Sequence, residues 1–399
     1  MKNYSKITPE GTKDLLFEEC LANRTVSSIL GKVFSQRGFH EVLTPGIEFY
    51  DLFKEEVSGI PMEAMFKMSD SKGRLMVVRP DSTLPIARMV TTRLMNERHP
   101  IRLYYNQRVY RYNPGLTGRS NEVMQTGIEL IGAKGKRADL ETITTAVEAL
   151  SKCVPDFRIE LGNAKFYRAL ARKLPVSDSE REQIRQLIES KNYSALNSEL
   201  DKLEQTQAVN MIRRLPRLFG GVEVLDEAIT MCEDEKALRS LEYVREIYND
   251  LMKIGLGDRV MIDLGLVQRN DYYSDIVFSG YVMGSGEPVL IGGRYDKLLD
   301  NFDRPAAAIG FGINVDALAN VMMKRGNVPQ KKKPDVLVHS EDGYEIKAIK
   351  YTSDLLGAGI VGENSVFETL EQALDYAKFN GIKKLTLVGE EIKTIDTGV

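Results

Sequence analysis

The stretch RLYYNQRVYRYNPGLTGRSNEVMQTGIELIG, residues 102–132, decides the fold. Arg102–Tyr112 is dense in Tyr, Val and Leu, and Glu122–Gly132 returns to β-rich composition after a run of Asn, Pro, Gly and Ser. Two strands of that length around a polar loop at Asn113–Gly118 read as one long antiparallel pair. Upstream, helical spacing runs to about Phe34 and breaks at Gly38, and FHEVLTP leads into a strand ended by Pro45. KMSDSKGRLMVVRPD, from Lys67, reads as a hairpin with a Ser/Asp/Lys/Gly turn, and Leu84–Met95 has helical spacing. Downstream come a helix over about Ala138–Ser151 and an alternating strand, Phe157–Gly162. Further strands follow at Val260–Gly265, Asp271–Val282 and Pro288–Asp296, and a helix, Val315–Arg325, closes the domain.

Residues from about Phe166 to Ile254 are helical and charged instead. Ser177 with Glu180 fits a capping box, and Ile184, Leu187 and Ile188 supply an apolar stripe. The large domain therefore spans 1–325, with a helical insertion at about 166–254. Residues 326–334, with their Lys331–Lys333 run, read as a solvated linker. Residues 335–399 then alternate strand and helix as a small parallel α/β unit. The fold class is α+β: an antiparallel sheet core with helices, an insertion and a small C-terminal domain.

Charge is nearly balanced, 54 Lys and Arg against 57 Asp and Glu, so no strong positive field advertises a nucleic-acid partner. A local basic patch can still hide in a neutral total. Cys20, Cys153 and Cys232 are far apart with no CxxC spacing, and no secretory signal is seen. The expected compartment is a reducing cytoplasm. His40, His99 and His339 are equally scattered, so no metal site is expected, and no apolar run approaches the roughly 18–20 residues of a membrane span.

Several motifs, in order across about 310 residues, resemble those of histidyl-tRNA synthetase, a class II aminoacyl-tRNA synthetase. PEGTKDLL (Pro9–Leu16) resembles that family's N-terminal signature, and RGFHEVLTPGIE (Arg37–Glu48) looks like motif 1, the dimer-forming helix and strand. VRPDST (Val78–Thr83) is similar to the histidine-binding RPEGT loop, with Asp81 for Glu and Ser82 for Gly. Tyr110–Glu129 resembles motif 2, QRNDYY (Gln268–Tyr273) resembles RGLDYY, and LIGGRYDKL (Leu290–Leu298) resembles AGGRYDGL. GFGINVDAL (Gly310–Leu318) sits in the place of motif 3.

By this resemblance Asp81, Thr83, Arg111, Gln125, Glu129, Gln268, Tyr272 and Tyr273 form a histidine-binding set. Asp81, Thr83 and Gln125 can accept from an ammonium, Glu129 can pair with an imidazole N–H, and one tyrosine can flank the ring, the Tyr pair alternating across a strand. Each has a plainer reading. Asp81 can cap the Leu84 helix, Glu129 can be a solvent-face charge, and the Tyr pair can be packing. Their joint spacing favours the pocket.

The charges needed for adenylation are depleted. Gln268 stands where RGLDYY has its arginine, though a shift of one residue would put Arg269 there. Ala317 occupies the motif 3 arginine place, Asn314 stands for a glycine, and Asp316 beside them is left with no arginine to offset it. In motif 2, Arg111 and Arg119 survive, but the adenine-side Glu has become Asn113, followed by Pro114. Each lost preorganised charge removes about 3 kcal/mol or more of transition-state stabilisation.

A kept histidine pocket with decayed ATP machinery resembles the regulatory subunits that pair with short-form ATP phosphoribosyltransferase catalytic subunits. The resemblance implies a non-catalytic member of a glycosyltransferase complex, with no catalytic residues or cofactor, and a homodimer core within a hetero-oligomer. No tRNA is expected. The rival is a working histidyl-tRNA synthetase, favoured by a tail that resembles an anticodon-binding domain. That tail is shorter than the family's, and its first helix carries few basic residues.

Overall fold

The computed structural model describes residues 4–113, 120–267, 272–329 and 332–399. The chain divides into two compact units, Met1–Val328 and Pro329–Val399, the division falling inside the stretch read as a linker.

The first unit is organised around a nine-stranded mixed sheet. Ile101–Tyr110 and Glu122–Ile131 pair antiparallel over their whole length, Ile101 opposite Ile131 and Tyr110 opposite Glu122. Ala308–Asn314, Leu290–Arg294, Ile276–Val282 and Phe157–Asn163 continue the antiparallel ladder in that order. His40–Glu41 adds a parallel strand at one flank and Val260–Asp263 at the other. The segment expected as a strand up to Pro45 is thus strand only at His40–Glu41.

One face of the sheet is covered by helices Glu18–Gln36, Lys136–Cys153 and Val315–Lys324. Glu18–Gln36 buries Ala22, Val26, Leu30, Val33 and Phe34, spaced three or four apart along one face. Burying a large aliphatic or aromatic side chain contributes roughly 1.5–3 kcal/mol. Gly38, at φ +79, ends the run in a conformation that glycine adopts without strain. The opposite face carries a second core containing Leu84, Leu103, Tyr105, Tyr273, Val277 and Tyr295, roofed by helix Thr83–Thr92 and a three-stranded sheet of Ile47–Phe49, Lys67–Ser69 and Leu75–Val78. The candidate site lies on this face.

The insertion is built of six α-helices, from Ala164–Ala171 to Glu235–Lys253, with a 3-10 turn at Leu215–Arg217. The Ser177–Glu180 capping box closes in both directions, and the apolar residues of the insertion join the main core rather than forming their own. It also supplies a strand not expected from its composition: Phe219–Gly220 pairs antiparallel with Val260–Asp263 at the sheet edge.

The second unit places Val336–Ser340 between Gly362–Asn364 and Lys384–Val388, all parallel, with helices Glu345–Gly357 and Leu370–Asn380 packed on the sheet. A further strand, Ile392–Asp396, adds an antiparallel edge that the reading as a wholly parallel unit missed.

Candidate ligand-binding site

Strand register aligns the cradle. Glu129 lies opposite Gly310 on one side and Leu103 on the other, Gly127 lies between Tyr105 and Gly312, and Gln125 faces Asn314. Directly opposed residues of an antiparallel pair share a face, so Glu129, Gln125 and Tyr105 point the same way. The glycines clear the floor. A Cβ on Gly310 would sit 2.0 Å from Glu129 Oε2 and 2.3 Å from the Ile128 carbonyl, and one on Gly312 would sit 2.8 Å from Gln125 Nε2.

Glu129 is 1% exposed. Thr83 Oγ1 donates to its Oε1 at 2.7 Å, and the Tyr295 hydroxyl donates to its Oε2. Burial pushes the Glu129 carboxyl up to about 8; the two hydroxyl donors oppose that shift and the neighbouring Asp81 charge adds to it. With its carboxyl raised to about 8, Glu129 holds its proton at neutral pH more readily than an exposed glutamate does.

Asp81 serves two partners. Its Oδ1 accepts from the Leu84 backbone N–H at 3.1 Å, the capping role of its plainer reading, and its Oδ2 lies 3.7 Å from Arg111 Nη2. Arg111 is half-exposed, and its Nε donates to the Pro80 carbonyl at 2.8 Å, which holds it beside the loop carrying Asp81. Gln125 Oε1 accepts from the buried Tyr105 hydroxyl at 3.2 Å.

Tyr272 and Tyr273 precede the strand that begins at Ile276, so the expected alternation across a strand does not occur. Their ring centroids lie 5.0 Å apart, and Tyr272 meets Tyr295 edge-on at 5.9 Å, making a continuous aromatic wall. The Tyr272 hydroxyl is raised above its ordinary pKa by burial first and then by the Asp81 charge. The fold thus gathers Asp81, Thr83, Arg111, Gln125, Glu129, Tyr272 and Tyr273, while Gln268, with Arg269 beside it, lies outside the described residues.

Sequence reasoning missed Tyr295 and Tyr105. Tyr295 belongs to the LIGGRYDKL motif, and alternation at the end of that strand was the available signal: Arg294 turns away from the cradle as Tyr295 turns into it. Tyr105 is marked only by its register opposite Gly127.

The other end of the same strand pair is built differently. Asn314 caps helix Val315–Lys324, its Oδ1 accepting from the Ala317 N–H at 3.0 Å, and Ala317 packs against the core. Asp316 Oδ2 accepts from the Met124 N–H at 2.7 Å, and the charges of Arg108 and Lys13 act on it. Burial raises the Asp316 carboxyl all the same, and Arg108, on the strand Ile101–Tyr110, is paired with Glu122 at 2.9 Å and opposes that shift only in part. Asn113 donates to the Arg111 and Ser120 carbonyls at 3.3 and 3.2 Å, stitching the base of the motif 2 loop. Pro114 and Arg119 lie outside the described residues. Among the described residues, no three His, Cys, Asp or Glu side chains come together as a metal site.

A six-stranded antiparallel core with parallel flanking strands and a glycine-floored acidic cradle defines a class II synthetase-like protein. Residues 11–318 match the family model described as histidyl-tRNA synthetase. A histidyl-tRNA synthetase structure from Nostoc shares the fold, with a TM-score of 0.74 at 19% identity over 98% of this chain and 97% of its own. A structure titled ATP phosphoribosyltransferase regulatory subunit/histidyl-tRNA synthetase, from Bacillus halodurans, gives a TM-score of 0.81 at 27% identity over 94% and 97%. The ATP phosphoribosyltransferase regulatory subunit of Clostridium kluyveri is 38% identical over 97% of this chain and 100% of its own. The chain belongs to the family of ATP phosphoribosyltransferase regulatory subunits, built on the histidyl-tRNA synthetase fold.

Proposed function

We propose that this protein binds histidine in the Glu129 cradle as the feedback signal of histidine biosynthesis and passes that signal to a separate, short-form ATP phosphoribosyltransferase catalytic chain. It carries no aminoacylation activity of its own. The observation that carries this reading is the contrast along one strand pair: hydroxyl donors from Thr83 and Tyr295 on a buried Glu129 at one end, and at the other a helix cap between the neutral side chain of Asn314 and the Ala317 N–H.

In the bound state Asp81, Thr83 and Gln125 accept from the ligand ammonium, Arg111 lies near its carboxylate, and Tyr272 flanks the ring. Glu129 meets the imidazole N–H. A cationic imidazolium beside Glu129 opposes the upward shift of its carboxyl, so that the ionised carboxylate forms a charge-assisted pair with it. Glycine-lined space at Gly310 and Gly312 leaves room for the pair.

Feedback requires that histidine bind two states of the assembly unequally, each tenfold difference in affinity corresponding to about 1.4 kcal/mol of coupling. The assembly we envisage is cytoplasmic, a hetero-oligomer around a homodimer formed by the motif 1 segment Arg37–Glu48, which contains strand His40–Glu41. The second unit is not read as binding tRNA. In its helix Glu345–Gly357, Lys347 is turned inward, its Nζ donating to the Gly389 and Glu390 carbonyls at 2.7 and 2.9 Å. That leaves Lys350 as the helix's other lysine for a phosphate backbone.

Co-purification with the catalytic subunit, then a phosphoribosyltransferase assay with and without histidine, tests the reading. The expected result is a stable complex whose activity falls as histidine is added. Robust histidine-dependent pyrophosphate exchange by the isolated protein would overturn it in favour of a working synthetase.

A further inference from the structure

The strand carrying Tyr295 into the cradle is anchored from behind by a buried ionic group. Arg294, 3% exposed in its side chain, donates through Nε to Asp139 Oδ1 at 2.8 Å and through Nη1 to Asp296 Oδ1 at 2.9 Å and the Ala133 carbonyl at 3.1 Å. Asp139 is fully buried in helix Lys136–Cys153, and Arg294 takes only its Oδ1. Its Oδ2 accepts from the hydroxyl of Tyr243, on the insertion's last helix, Glu235–Lys253. The same anchor reaches the aromatic wall. The Arg294 carbonyl accepts from the Ser274 N–H at 2.6 Å, and Ser274 Oγ accepts from the Asp296 N–H at 2.9 Å, directly after Tyr272–Tyr273.

We propose that Tyr243 is a positioning residue for the ligand cradle: by completing the shell of Asp139 it fixes Arg294, and through Arg294 the Tyr295 hydroxyl that meets Glu129. A buried carboxylate left one donor short draws its remaining cation toward itself or admits water, and either displaces the strand end that Arg294 belongs to. Hydrogen-bonded networks of buried charges respond as units, so the displacement is shared along the chain of contacts. The insertion, whose last helix holds Tyr243, is thereby tied to the pocket through side chains that touch no ligand. The inference rests on the histidine reading for its ligand alone, because its geometry can be tested in the empty protein.

The test is Tyr243→Phe, which removes the hydroxyl and keeps the ring. The Glu129 carboxyl is followed in ligand-free protein by carbon-13 NMR of labelled glutamate, its signal assigned by its loss in Glu129→Gln. Slackening of the Tyr295 bond removes a donor that holds the Glu129 carboxyl down, so its titration midpoint is expected to rise by about half a unit or more. Histidine affinity by calorimetry is expected to fall about five- to tenfold. In a Tyr295→Phe background, Tyr243→Phe is expected to move neither quantity further, which a purely structural role would not predict. Asp139→Asn, which keeps the volume and weakens the hold on Arg294, is expected to shift Glu129 in the same direction and serves if Tyr243→Phe does not fold. A folded variant with an unmoved Glu129 titration, or additive effects with Tyr295→Phe, would overturn the proposal. Wild-type protein that binds no histidine would sink the sensor reading instead, and the titration would still decide this one.

Discussion

The two ends of one strand pair, Glu122–Ile131 against Ala308–Asn314, solve opposite problems. At the Glu129–Gly310 end, a buried acid is kept at the cost of its desolvation, and hydroxyls, a bare glycine and a neighbouring carboxylate are arranged around it. At the Gln125–Asn314 end, the arginine place is filled by an alanine whose N–H completes a helix cap and whose methyl joins the core. Burying an acid without a fixed cation is costly, which singles this end out as the candidate binding site. The capped end makes no such investment. The comparison teaches that Ala317 leaves no hole: helix capping and core packing fill the position.

The largest expected effect comes from closing the floor of the acidic end. Gly310→Ala puts a methyl against the Ile128 carbonyl, a backbone atom that cannot rotate away, as well as against Glu129. Overpacking of this kind destabilises by about 3 kcal/mol, and histidine binding is expected to vanish. Gly286→Ala, where the added methyl meets open space, is the control and is expected to change little. Comparable denaturation midpoints for the two variants would show that the cradle floor tolerates a side chain.

Glu129→Gln comes next. Losing a charge-assisted contact weakens histidine binding by about 10–100-fold, with assembly unaffected; equal affinity would remove Glu129 from the pocket. The same variant tests the protonation argument. The carboxyl is raised from the ordinary 4.5 to about 8, so the folded protein retains a proton that the unfolded chain releases. Its contribution to stability is fully present below about pH 4.5, falls as pH rises towards 8, and then levels off. Denaturant titrations across that range are expected to show a shallower decline in Glu129→Gln, and greater stability than wild type above about pH 8. Parallel slopes would mean that Glu129 is ionised in the empty cradle.

These contrasts also mark what the sequence made legible. The long strand pair was readable because Ile101–Tyr110 alternates buried and half-buried positions along its whole length. Asp81, Thr83 and Glu129 were readable through motif spacing. Tyr295 was not assigned: alternation after Arg294 gives its face, but meeting Glu129 also depends on register across the one intervening strand, Ala308–Asn314, which no local pattern encodes. Tyr272 and Tyr273 were placed on a strand by their β-rich neighbours, yet pairing begins only at Ile276, so both rings turn into one aromatic cluster. Phe219–Gly220 and Ile392–Asp396 escaped for a related reason: edge strands that bury little carry weak hydrophobic patterns.

The smallest effects are expected at the capped end. Asn314→Ala removes the side chain that caps Val315–Lys324, and loss of a cap costs about 1 kcal/mol, a third of the expected penalty at Gly310. Ala317→Arg places a cation at the position where the resemblance to motif 3 expects an arginine. The new side chain starts from the helix's first turn, beside a core its methyl now fills, and Asn113 across the sheet still offers an amide engaged with the Arg111 and Ser120 carbonyls. One cation without the rest of the polyanion grip stabilises no transition state, so no pyrophosphate exchange is expected and histidine affinity should stay within about twofold of wild type. Exchange measured above background in Ala317→Arg would mean that the capped end is an adenylation site short of a single charge, and the division between the two ends would collapse.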